Sequence, residues 1–80
     1  MVGQEMKLRA VLHHGQQNLT KTELTVEAEF AANAARQLAA QVDATSRVLP
    51  GRLEQPTAEG KTWSFGVTGF GQRIWVYEIR

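Results

Sequence analysis

Glu27 does most to decide how this chain can fold. It lies in ELTVEAEFAANAARQLAAQV, residues 23–42, where the first half alternates and the second half is alanine-rich. As one helix, the stretch would line up Ala31, Ala34, Ala35, Leu38 and Val42 on an apolar face. Extended backwards, that helix would place Glu27 near the centre of the face and Val26 and Phe30 off it, burying a charge without a partner. A strand over residues 22–29 removes the conflict. Leu24, Val26, Ala28 and Phe30 then line one side, and Glu23, Thr25, Glu27 and Glu29 the other. The switch falls near Glu29–Phe30, and the helix runs over 31–42 with Asn33, Arg36, Gln37 and Ala40 toward water. The high helix propensity of alanine supports that span.

The segment EMKLRAVLHH alternates in the same way, with Met6, Leu8, Ala10 and Leu12 on one side and Lys7, Arg9, Val11 and His13 on the other. HGQQN, with Gly15 and Asn18, suits a turn, so the first two strands form a hairpin. Their outward faces carry Lys7 and Arg9 against Glu23, Glu27 and Glu29, and cross-strand pairs of opposite charge add about 0.2–1 kcal/mol each.

Residues 43–60 are rich in turn formers. Pro50-Gly51 reads as a turn between a short strand around Ser46–Leu49 and a second at RLE, and Pro56 and Gly60 bound a further polar segment. The tail KTWSFGVTGFGQRIWVYEIR reads as a hairpin about a three-residue turn, Gly69-Phe70-Gly71. Thr68 then faces Gln72, Phe65 faces Trp75, and Trp63 faces Tyr77. Four of the six aromatics fall on one face, large partners for a small alanine face. The expected domain is a single α+β unit over 1–80. It has a mostly antiparallel sheet with one helix on one face, in the order β-β-α-β-β-β.

Few sites for chemistry emerge. His13 and His14 are adjacent on a strand and point to opposite faces, which prevents joint chelation of one ion. Without cysteine there is no thiolate metal site and no disulfide, which fits a reducing, cytoplasmic setting, and no cofactor is expected. Glu27 and Glu29 share a face, but an exposed one that would not raise a carboxyl pKa as general acid catalysis needs. GVTGFG leads into a strand, not into the helix N-terminus that a phosphate loop requires. The expectation is therefore a protein that is not an enzyme. No apolar run is long enough to span a bilayer, MVGQEMKLR has no signal-peptide core, and a formal charge of +1 is neither a basic nucleic-acid coat nor an acidic DNA mimic.

Two features exceed scaffold. Phe70 sits at a turn tip between two glycines, where an aromatic is hard to bury locally. The last strand is apolar on both sides, with Trp75, Tyr77 and Ile79 one way and Ile74 and Val76 the other. At a sheet edge it could pair with its own copy, giving a homodimer through the C-terminal strand.

The tail WSFGVTGFGQRIWVYEIR resembles the closing strands of RelE/ParE-type toxins, which implies ribosome-dependent ribonuclease or gyrase-poisoning activity. Those proteins have two helices after the first strand and many basic residues, whereas this chain has one helix and a charge of +1. The strand TVEAE running into an alanine-rich helix, over about residues 20–43, resembles small phage-encoded anti-CRISPR inhibitors. That resemblance implies a non-enzymatic protein that binds a CRISPR effector complex in the host cytoplasm and blocks its engagement of target DNA. No residue carries over by position. The expected contact residues are arginines and the tip aromatic: Phe70, Arg73, Arg47, Arg52 and Arg36, since arginine joins charge to a flat stacking surface. A nucleic-acid-binding or toxin-like module using the same arginines is the alternative.

Overall fold

A computed structural model describes residues 5–54 and 60–79. The elements are β1 (Met6–His14), β2 (Thr20–Ala28), α1 (Ala31–Val42), β3 (Val48–Leu53), β4 (Thr62–Val67) and β5 (Ile74–Glu78). The α+β order read from the sequence is present, as one five-stranded antiparallel sheet in the spatial order β2-β1-β5-β4-β3 with the helix packed on one face. Among the described residues no helix is long and apolar enough to cross a membrane.

β1 and β2 form the expected hairpin, in unbroken register from Met6↔Ala28 to His14↔Thr20, with Lys7 opposite Glu27. The strand gives way to helix at Phe30, and Glu27 stands exposed on the face away from α1. Phe30 makes no side-chain cap and the first turn has no acidic residue, so burial stabilises α1 more than its ends do. Ala31, Ala34, Ala35, Leu38 and Ala39 are buried, over Leu8, Ala10, Leu12, Ile74 and Val76 of the central strands. Fully burying one such leucine contributes about 1.5–3 kcal/mol.

Three expectations are corrected. Pro50 and Gly51 do not form a turn. They lie inside β3, which is one strand from Val48 to Leu53 with a register irregularity between Val48 and Gly51. An edge strand tolerates proline because one row of its N–H groups bonds to nothing in the sheet. Glycine is required at 51 because a Cβ there would overlap the Phe65 ring and stand 2.6 Å from the Ser64 carbonyl oxygen. Pro56 lies outside the described residues.

The second correction concerns the tail hairpin. Residues 68–73 connect β4 to β5, and the pairs are Phe65↔Ile74, Ser64↔Trp75, Trp63↔Val76 and Thr62↔Tyr77. This register is one residue away from the one a three-residue turn would give, and a slip of one residue moves every side chain of a strand to the other face. Phe65 and Trp63 pack under the helix, while Trp75 and Tyr77 face away from it. Third, β5 is not an edge. It is hydrogen-bonded to β1 on one side and β4 on the other, which closes the route to a dimer through the C-terminal strand. Apolar residues on both sides of β5 fit its central place.

Leu38→Ala should cost about 2–5 kcal/mol, because the site is fully buried and leaves a cavity. Gly51→Ala should cost about 1–3 kcal/mol through the clash with Phe65, whereas Glu27→Ala on the exposed face should stay within about 0.5 kcal/mol. Urea unfolding followed by circular dichroism ranks the three. A Glu27→Ala loss comparable to that of Leu38→Ala would contradict the placement of Glu27.

Candidate functional site

The helix covers one face of the sheet and leaves the other open. Because β5 is central, its outward residues Trp75 and Tyr77 stand in the middle of that open face. Same-face residues on a strand are about 7 Å apart, so the two rings form a short column. On the β1 side, Val11 lies opposite Trp75 and Arg9 opposite Tyr77. The Arg9 guanidinium stands 5.4 Å from the centre of the Tyr77 ring, a cation–π contact. Val11 is only 7% exposed although no helix covers it.

On the β4 side, Ser64 lies opposite Trp75 and is fully buried. Its hydroxyl donates to Glu54 Oε2 at 2.5 Å, and the same oxygen accepts from Arg52 Nε at 2.8 Å. Arg73 Nη2 donates to the Ser64 carbonyl oxygen at 3.2 Å. Gly66 leaves room here, between Leu49 and the Arg73 guanidinium. The Ser64 hydroxyl, and then Arg52, hold the Glu54 carboxyl below the usual glutamate range. The open face thus presents two aromatic rings between Arg9 on one flank and an ordered Arg52–Glu54–Ser64–Arg73 group on the other.

The five arginine and aromatic contact residues expected from the sequence separate onto two sides. Arg52 and Arg73 meet on the open face, beside Trp75. Arg36 and Arg47 meet on the helix side, lining a groove of about 320 Å³ with Ala39, Ser46 and Val48. Arg36 Nη1 also donates to Asn33 Oδ1 at 2.7 Å. It borders a second groove, of about 630 Å³, whose lining includes Glu5, Glu27 and Glu29. Phe70 is not a projecting tip. It folds back, half-buried against the core, with its ring edge-on to His14 at 6.1 Å. His14 in turn shares a 2.7 Å hydrogen bond with the Thr22 hydroxyl, while His13 is exposed on the opposite face.

Sequence reasoning missed Trp75 and Tyr77 as surface residues; it placed Arg9 on the outward face, where it stands, but did not single it out as a contact. The available signal was the last strand, apolar on both sides, which is the mark of an interior strand. Placed in the interior, it must send one apolar row away from a single helix.

Compared with protein-family models, with curated proteins and with solved structures, the chain matches none.

Because the folded-state pKa of Glu54 lies below its unfolded value, its contribution to stability is present above the unfolded value. That contribution is lost as the pH falls through the folded one. Ser64→Ala removes the main cause, so the Glu54 midpoint should rise toward the ordinary value and the acid-side loss of stability should shrink. Carboxyl-carbon NMR titration reads this directly, and an unmoved midpoint would overturn the assigned cause.

Proposed function

We propose that this chain is a non-enzymatic binding module that grips its partner with the open face of the sheet. The observation that carries this reading is the column of Trp75 and Tyr77, half-buried but not under the helix, flanked by Arg9, Arg52 and Arg73. Tryptophan, tyrosine and arginine are the residue types that dominate interface energetics. On this face the Ser64 hydroxyl and Arg52 hold the Glu54 carboxyl below the usual glutamate range, which suits an anchoring ion pair better than a general acid.

The resemblance of residues 20–43 to anti-CRISPR inhibitors supplies the partner class: a CRISPR effector complex in a host cell, kept from its target DNA. A chain with a charge of +1 has no DNA-like surface, so the block would be steric, made at a protein surface of the effector. The stacking column favours one second reading, a single-stranded nucleic-acid ligand whose bases lie on Trp75 and Tyr77.

A tagged-protein pull-down from host lysate, with and without nuclease, separates these readings. The first expects an effector protein that survives nuclease treatment and moderate salt. The second expects nuclease-sensitive capture that weakens steeply as salt rises. In either case Trp75→Ala/Tyr77→Ala should lower capture by about tenfold or more, while Arg36→Ala/Arg47→Ala on the helix side should leave it near the wild-type level. Full capture by a folded Trp75→Ala/Tyr77→Ala protein would remove the open face from the reading.

A further inference from the structure

The two edges of the sheet are built differently. The β3 edge carries Pro50 and a register irregularity, both of which hinder the addition of another strand. The β2 edge has neither. Its nine residues, TKTELTVEA, contain no proline or glycine and keep unbroken register with β1. Among the described residues no further strand lies beyond β2, so one row of β2 backbone N–H and C=O groups is directed outward.

Charged side chains on an edge usually repel a second strand. Here they are arranged to accept an antiparallel copy. With a two-fold axis at Leu24, Lys21 faces Glu27 of the second copy, twice per dimer, and Glu23 faces Thr25. On the helix side Leu24 meets its own copy and Thr22 meets Val26; Leu24 and Val26 are half-buried in one chain. Moving the axis one residue either way spoils the match. An axis at Glu23 sets Glu23 against itself, and an axis at Thr25 sets Glu23 against Glu27. Like charges directly opposite one another are destabilising.

A second observation agrees independently. Among the described residues the two most exposed large apolar side chains are Leu19, at 80%, and Phe30, at 60%. They flank β2 at opposite ends, and the Leu24 axis carries Leu19 of one chain to the Phe30 end of the other.

We propose that the chain forms a homodimer by antiparallel β2–β2 pairing centred on Leu24. The product is one continuous ten-stranded sheet with both helices on one side and both open faces on the other. This goes beyond the open-face reading and does not depend on it, because β2 pairing adds no cover to Trp75 and Tyr77 on the central strand. One edge strand makes an interface below the standard size of about 1,600 Å², so association depends on concentration.

Light scattering on the full chain, from low to high micromolar, should show the mass rise from 8.9 kDa toward twice that value. Glu27→Lys should weaken the dimer by about tenfold, because it sets an ammonium group against Lys21 of the second copy, and Lys21→Glu should weaken it similarly. The exchange variant Lys21→Glu/Glu27→Lys should restore it, and circular dichroism on each variant checks that the fold persists. Hydrogen exchange on the unaltered chain gives a reading that needs no variant: amide protection in Thr20–Ala28 should grow with concentration while that of β3 stays constant. A monomer mass throughout, an exchange variant no better than the single variants, or concentration-dependent protection at β3 alone would overturn the proposal.

Discussion

The structure depends on one crossing. β2 and β3 are consecutive strands at opposite edges of the sheet, so α1 and its short linkers must carry the chain across the whole sheet. The distances fit. A 12-residue helix is about 18 Å long and five strands span about 19 Å from edge to edge. The helix therefore touches every strand, and most extensively β2 and β1. Its buried face must be thin to cross so many strands at close range. Ala31, Ala34, Ala35 and Ala39 provide that thinness, and Leu38 fills the space they leave. Phe65, Trp63, Leu8 and Leu12 supply bulk from the sheet side.

The crossing also fixes the other face. One helix covers one side of the sheet, and no element remains among the described residues to cover the second. A central strand still has two faces, and β5 is apolar on both. Ile74 and Val76 go under the helix; Trp75 and Tyr77 do not. The polar residues of the open face are ordered around these rings. Arg9 lies over Tyr77, and the Ser64 hydroxyl and Glu54 fix Arg52 at one side. The use of one helix for five strands thus creates the surface on which the proposed function rests.

Much of this was legible from local pattern. Glu27 settled where the strand ends, because only a strand keeps that carboxylate out of the core, and the helix falls over the residues its alanines mark. The β1–β2 hairpin followed from alternation on both sides of HGQQN. What local pattern could not carry was non-local register. The tail alternates equally well in either register, and only the length of the β4–β5 connection decides between them. A three-residue turn at Gly69-Phe70-Gly71 was plausible chemistry, but residues 68–73 all serve as connection, and Phe70 returns to the core instead of standing at a tip. Pro50-Gly51 misled for a similar reason. Its composition signals a turn, yet the glycine answers to the Phe65 ring of the neighbouring strand, which lies far away in sequence. Of the candidate contacts, Arg52 and Arg73 stand on the open face while Arg36 and Arg47 share the helix side, a division set by topology and invisible to spacing.

The position of Trp75 and Tyr77 still requires a reason, since a small domain has little apolar area to spare. A buried aromatic removes about 150–250 Å² from water, worth about 4–6 kcal/mol at 25 cal/mol per Å², against a total stability of about 5–15 kcal/mol for a whole domain. Leaving two such side chains only half-buried forgoes a meaningful fraction of that. Cover for Val11 explains part of it, because Trp75 lies beside that residue and Val11 is nearly closed to solvent. Valine or isoleucine on β5 would give much of the same cover with less exposed area, and both suit a central strand. An aromatic ring adds a rigid, flat surface and, in tryptophan and tyrosine, a polar edge that can meet a partner at little conformational cost. The choice of these two side chains, on the one face the helix cannot reach and beside an arginine already stacked on one of them, is not what the fold alone requires, and it is the ground on which contact with another molecule is proposed.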